Sequence, residues 1–409
     1  MQFDATSRSK RKNSSSDNGG PLANKGRIRS LFGGIGLLTG LGLGIASYAL
    51  FREPLDINLD RLTIRLPGTL GRLPQRGLRI LHLSDTHFQG LEWRERAKIK
   101  QIHRLVSGLQ FDLLIHTGDF WHNEAGEANI LSLLDGLPKP RLGSYGVLGN
   151  HDYACYSHGD AFTRNWNHYK KAQYELHLES FENGSKDGHG LTHAIARNIT
   201  ENGSVSLNPK TNGYMPIEVF TEQQFTQLDR LQDAYRFVRY FLTTPFELER
   251  ASYNDTRRLE KILASRGVEL LTNRSIHLQH NPGQPDGVNI HLAGIDDITE
   301  GAPELDSALA QVPTDATKIL LSHNPDVLED GRSREADVIL SGHTHGGQIN
   351  LPIVGAIHTH SAHLKRHEAA GYMWRDRTQV YVTRGVGEGI PLRFCAKPQI
   401  TLITIIAES

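Results

Sequence analysis

"ADVILSGHTHGGQI", Ala336 to Ile349, runs a short aliphatic stretch straight into two histidines, His343 and His345, fenced by glycines. A run so short, apolar and β-branched suits a strand covered on both faces, and its abrupt polar ending suits a strand whose carboxyl end opens onto a ligand. One such pair proves little, because histidines one residue apart also occur in ordinary surface loops. Outward along the chain, however, the same design recurs in "LRILHLSDTH" (78–87), "FDLLIHTGDF" (111–120), "SYGVLGNHD" (144–152), "VNIHLAGIDD" (288–297), "TKILLSHNPD" (317–326) and "TQVYVTRGVG" (378–387). "LDINLDRLTIRL" (55–66) alternates and predicts a strand with one apolar face. Aliphatic runs of this length separated by helical or loop segments predict an α/β architecture.

The residues that close these runs carry the chemistry. They are Asp85 and His87, then Asp119, then Asn150 with His151 and Asp152, then His323, then His343 and His345. Ligands bind at the carboxyl ends of strands in parallel-rich sheets, because the loops converge there while the strands themselves are committed to the core. Asp119, between a glycine and a phenylalanine, is placed to bridge two cations with its two oxygens. Mixed nitrogen and oxygen donors favour zinc, manganese or iron over calcium or magnesium. The 21 histidines of the chain point the same way, and with only 2 cysteines, Cys155 and Cys395, neither a thiolate zinc cluster nor a disulfide scaffold is available.

The ordered set Asp85-Thr86-His87, Gly118-Asp119, Gly149-Asn150-His151-Asp152, Ser322-His323 and Gly342-His343-Thr344-His345 resembles the signature of the calcineurin-like metallophosphoesterases. The resemblance extends over Leu55 to Ile406, less an insertion. "GGQINLP" and "GVGEGIPLRFCAKPQI" resemble a bacterial branch with exported or membrane-bound members. It implies a four-layer α/β/β/α sandwich of two mixed sheets and two divalent metal ions, manganese, zinc or iron. Asp85, His87 and His345 would hold the first metal and Asn150, His323 and His343 the second, with Asp119 bridging them and a water between the metals as nucleophile. His151 would give a proton to the leaving oxygen, held by Asp152. Three places after the bridging Asp, where many members carry a polar or acidic residue, stands His122. Arg393 is a candidate substrate-phosphate contact, since a guanidinium forks onto two oxygens.

Around this body the chain carries two additions. Residues 1–30, with "SRSKRKNSSSDNGG", predict a disordered basic tail, and Leu31–Phe51 carries no charged side chain and is long enough to cross a bilayer as a helix. It predicts a membrane anchor, or, if cleaved after Ser47-Tyr48-Ala49, a signal segment. Basic residues crowd its amino side at Arg8, Lys10, Arg11, Lys12, Lys25, Arg27 and Arg29, whereas Arg52 and Arg61 beyond it are offset by Glu53, Asp56 and Asp60, which predicts an extracytoplasmic catalytic domain. Residues 153–260 break the strand pattern with Asn, Gly and His clusters and an amphipathic helix from Thr221, and predict an inserted cap between the halves 52–152 and 261–409. Lys+Arg and Asp+Glu both total 45, so no bulk positive charge holds a nucleic acid. The expected activity is hydrolysis of a phosphodiester or pyrophosphate bond near a membrane, on lipid-linked or envelope precursors such as UDP-2,3-diacylglucosamine. A general protein or nucleotide phosphatase, or a non-catalytic metal-bearing scaffold, are the alternatives.

Overall fold

Each of the aliphatic runs named above forms a strand, and most are buried on both faces. The computed structural model describes residues 42–157 and 249–408, with the isolated positions 40 and 236. In chain order the elements are β1 (Asn58–Pro67), β2 (Leu78–Leu83), α1 (Glu92–Val106), β3 (Leu113–Thr117), α2 (Glu127–Asp135), β4 (Gly143–Val147), the single turn α3 (Asn150–Tyr153) and β5 (Ala154–Ser157). Beyond the insertion follow β6 (Glu249–Tyr253), α4 (Thr256–Ser265), β7 (Val268–Leu270), β8 (Arg274–His280), β9 (Val288–Gly294), α5 (Leu305–Leu309), β10 (Lys318–Leu321) and β11 (Val338–Ser341). The chain ends through β12 (Asn350–Leu351), β13 (Gly355–Ala356), β14 (Gly371–Arg375), β15 (Thr378–Val382) and β16 (Gln399–Glu408).

Two 6-stranded sheets result, in the orders β1-β16-β2-β3-β4-β7 and β14-β15-β11-β10-β9-β8. Both are mixed: β16 runs antiparallel to β2 in the first, and β14 and β8 are antiparallel edges of the second. Ile64, Ile80, Leu113, Ile115, Val147, Ile403 and Ile405 of the first sheet meet Ile290, Leu292, Ile319, Leu321, Val338 and Leu340 of the second in one apolar layer. The opposite face of the first sheet, with Leu81, Leu83 and Leu402, takes α1, α2 and α4 through Ile99, Ile102, Ile130, Leu133, Leu259 and Leu263. The outer face of the second takes α5 through Leu305, Ala308 and Leu309. Helix, sheet, sheet and helix thus stack in four layers. Because β10 and β11 are covered on both faces, their sequences are continuously aliphatic rather than alternating.

The ends of the insertion come back together. Ala154 pairs with Tyr253 and Ser157 with Glu249 in a two-stranded antiparallel ladder. The cap boundary expected at 260 needs correction, since α4 buries Leu259, Ile262 and Leu263 against the first sheet and belongs to the sandwich. Its register is set by an Asp255 N-cap, whose side chain accepts the Arg258 N–H. The helix expected from Thr221 lies outside the described residues, as do the basic tail and most of the expected membrane segment. Residues 42–47 are helical, the chain from Ala49 onward forms a separate unit, and among the described residues no helix is long and apolar enough to cross a membrane.

Candidate metal centre

The loops that leave β2, β3, β4, β10 and β11 converge, and those after β2, β3 and β11 deliver their polar residues by a local backbone device. Asp85, His87, Asp119, His343 and His345 all have positive φ, between 46° and 68°. For a residue with a Cβ this conformation costs roughly 1 kcal/mol, and Asp and His are among the few types that tolerate it. Five such residues in one place persist because close approach holds them there. A Cβ on Gly342 would lie 2.0 Å from Ser84 Oγ and 2.3 Å from Asp85 Oδ2, so only glycine lets β11 pass beside Asp85. Its neighbour His343 then donates its backbone N–H to the Asp85 carboxylate at 3.0 Å.

Two donor clusters share Asp119. In the first, His87 Nε2 and His345 Nε2 lie 3.0 Å apart, with Asp85 Oδ1 at 3.9 Å from the one and 3.6 Å from the other. In the second, Asn150 Oδ1 lies 3.2 Å from His323 Nε2 and 3.1 Å from His343 Nδ1. Asp119 Oδ2 stands 3.2 Å from both His87 Nε2 and His323 Nε2, between the clusters, whereas its Oδ1 accepts the His151 N–H at 2.8 Å. One carboxylate oxygen, not two, therefore faces both clusters. The clusters fit metal ions on their own chemistry. His323 Nδ1 lies 2.7 Å from the Thr117 carbonyl, which can only accept, so Nδ1 carries a proton and Nε2, turned to Asp119 Oδ2 and Asn150 Oδ1, is the nitrogen that can ligate. Lone pairs converging on lone pairs call for a cation between them.

The electrostatics agree. Burial, with His323 beside the one and Arg393 beside the other, holds His343 and His345 well below the ordinary imidazole value, so both are neutral and ready to ligate. Burial works against protonation of His323 too, but Asp119, Asp85 and Asp297 outweigh it and push its pKa well up, so in the metal-free protein a second proton, on Nε2, is the cation these carboxylates draw and a metal ion would displace it. Burial and Asp119 raise Asp85 to about 6, against the pull of His323.

His151 sits at the edge of this centre. Its ring centroid lies 4.5 Å from that of His87, 4.6 Å from His122 and 4.8 Å from Tyr156. His122, read as a departure from the pattern, thus joins a buried trio with His87 and His151 whose ring nitrogens could together hold an ion. Asp152 does not hold the His151 ring as expected. Its carboxylate accepts backbone N–H groups from Asp119 at 2.8 Å, Phe120 at 2.8 Å, Trp121 at 3.2 Å and Gly149 at 2.9 Å. It is a buckle between the Asp119 loop and the Asn150 turn. Burial and Asp119 push its carboxyl up, while the N–H donors favour the ionised form.

Arg393 also departs from expectation. Its side chain is wholly buried, and its guanidinium donates to the carbonyls of Ala396 at 2.8 Å, Arg384 at 2.9 Å and Gly387 at 2.6 Å, and to Glu388 Oε1 at 3.2 Å. Glu388 in turn receives Lys98 Nζ at 2.7 Å, tying α1 to the loop beneath His345. A guanidinium so occupied braces that loop and has no fork left for a phosphate. Asn254, which belongs to no motif in the sequence, donates its amide to the His151 carbonyl at 2.8 Å and the His122 carbonyl at 3.2 Å. No local signal could reveal it, because the whole insertion separates it from its partners. Cys155 and Cys395 are free thiols.

A profile of the calcineurin-like phosphoesterase family matches residues 78–347. The chain is 27% identical over 364 residues to the UDP-2,3-diacylglucosamine pyrophosphatase LpxG of Chlamydia trachomatis, covering 87% of this chain and 91% of that protein. It is 40% identical over 121 residues to the metallophosphoesterase YkuE of Bacillus subtilis, 29% of this chain and 42% of the other. To the phosphodiesterase YaeI of Escherichia coli it is 37% identical over 89 residues, 22% of this chain and 32% of the other.

Proposed function

The chain belongs to the calcineurin-like phosphoesterase family and is a phosphoester hydrolase, and from that premise we propose that it cleaves a phosphodiester or pyrophosphate bond in a lipid-linked substrate with two divalent metal ions. The observation that carries the two-metal reading is Asp119 Oδ2, 3.2 Å from a histidine nitrogen of each donor cluster. Asp85, His87 and His345 would hold one ion, Asn150, His323 and His343 the other, with Asp119 shared. When bound, such a pair activates water at neutral pH and neutralises charge on the phosphoryl oxygens.

The chain's own residues do the rest. Asp152 fixes the Asp119 loop to the Asn150 turn, so the shared carboxylate and the Asn150 amide keep their spacing. His151, with its backbone N–H donated to Asp119 and its carbonyl accepting from Asn254, carries its ring beside His87 at the edge of the centre and supplies the proton to the leaving oxygen from a ring nitrogen. Lys98, Glu388 and Arg393 hold the loop behind His345.

Similarity to LpxG over most of both chains supports UDP-2,3-diacylglucosamine, or a substrate with the same diphosphate and acyl chemistry, as the compound turned over. The uncharged stretch Leu31–Phe51 supports a membrane-anchored enzyme with its catalytic domain outside the cytoplasm. The deciding experiment compares the purified full chain on UDP-2,3-diacylglucosamine and on soluble phosphoesters after loading with manganese, zinc or iron. The reading expects the highest kcat/KM on the acylated substrate. Equal or better turnover of phosphoproteins or free nucleotides would replace it with a general phosphatase.

A further inference from the structure

The last residues of the uncharged stretch, from Ala49, are part of the catalytic unit and are fixed to it. The Ala49 carbonyl accepts the Arg393 N–H at 3.0 Å, and the Leu50 carbonyl accepts both terminal nitrogens of Arg94 at 3.1 Å. Glu53, buried, accepts the Ala396 N–H at 2.6 Å. Around this fixed entry stand large apolar side chains turned to solvent: Phe51 at 59% exposure, Leu91 at 48% and Trp93 at 61% at the start of α1, and Ile390 at 37%. The guanidinium that grips Leu50 also lies 5.5 Å from the centre of the Trp93 ring. The group adjoins the metal-bearing loops. Leu91 follows His87 along a turn whose Gln89 and Gly90 N–H groups are held by Glu95, and the Ile390 loop packs on Thr86 and His87 at Gly387, where a Cβ would lie 2.2 Å from the Thr86 carbonyl oxygen.

Exposed apolar side chains grouped in this way mark a contact surface, and the chain itself says which partner. Its apolar, uncharged stretch Leu31–Phe51 ends in the middle of the group, tryptophan is the side chain best suited to a headgroup boundary, and Arg52 and Arg94 beside it suit anionic lipid. We propose that Phe51, Leu91, Trp93 and Ile390 form a rim seated at the headgroup-to-acyl boundary of the bilayer, next to the loops that carry the metal ligands. The proposal rests on the reading of residues 31–51 as a bilayer segment.

The full chain reconstituted with phosphatidylcholine–phosphatidylglycerol vesicles, with and without bromine on the acyl chains, tests it. Flotation reads the anchor, and bromine quenching of tryptophan emission reads the rim. The expected result is a chain that floats, a quenched component in the wild type, and loss of that component in Trp93→Phe. A second variant, Leu91→Glu with Ile390→Glu, should also lower the quench while hydrolysis of bis-(p-nitrophenyl) phosphate in detergent stays within about twofold, because an apolar rim helps only at a lipid surface. A floating chain whose quenching is the same in wild type and Trp93→Phe overturns the rim and leaves the anchor standing. A chain that does not float overturns both.

Discussion

A single carboxylate separates two kinds of residue in this site. Asp119 Oδ2 faces both donor clusters, so Asp119→Asn replaces the shared anion by a neutral amide and should strip or weaken both metal ions. His151→Gln should keep the metals and lose about a hundredfold or more in rate, most on poor leaving groups, if His151 is the proton donor proposed above and not a ligand. Metal content beside single-turnover rates checks the split, and equal metal loss in both variants would contradict it. Asp297 supports a pH prediction in the metal-free protein. It is buried, accepts N–H groups from Thr299 and Glu300, and burial raises its carboxyl to about 6 from an ordinary 3.8. A folded pKa above the unfolded one means the native state holds the proton longer. Its contribution to stability is therefore present below pH 3.8 and lost as pH rises to about 6. Asp297→Asn should remove that falling limb, about 3 kcal/mol, from chelator-treated melting curves taken across the window. An unchanged slope would show that Asp297 does not titrate there. At this scale the ligand candidates could be read from the sequence because they stand directly after strands. The roles of Asp152 and Arg393 could not, because they depend on which backbone groups surround a buried side chain.

Among the elements, the insertion is defined by its roots. Ser157 and Glu249 are ladder partners, so a short linker can replace what lies between them without moving either end. Excising Gly159 to Phe246 should leave hydrolysis of bis-(p-nitrophenyl) phosphate within about a factor of a few and lower kcat/KM on an acylated substrate by about tenfold or more, since only the larger substrate reaches beyond the metal loops. Parallel loss on both substrates would make the insertion part of the catalytic fold. Tyr156, in the first root strand, bonds Glu300 at 2.6 Å and packs its ring against His151, so the construction must keep that strand intact. The far boundary is not legible in the sequence because α4 follows a long polar stretch and the polar strand β6. Its apolar face, Leu259, Ile262 and Leu263, has meaning only once the first sheet is there to receive it.

For the whole molecule, charge predicts the orientation of the proposed membrane segment. Seating the basic residues from Arg8 to Arg29 on the cytoplasmic side puts the chain after Phe51 outside. Alkaline phosphatase fused after Ser409 should be active and a fluorescent protein in the same place dark. The reverse pair of results would place the catalytic domain in the cytoplasm, and a mature amino terminus at Leu50 would show that the segment is removed. The sequence by itself determined the strands and the order of the ligand candidates. Hydrophobic runs of strand length and the polar residues closing them are local properties, legible without knowing what they pack against. Only the tertiary structure decided that the last strand, β16, enters the first sheet between β1 and β2, and that Asp152 buckles two loops instead of orienting His151. The same holds for Arg393, which braces the loop behind His345. Each of those outcomes depends on which distant backbone groups meet a side chain or an edge in a dry interior, where every polar group must find a partner, and no local pattern encodes that choice.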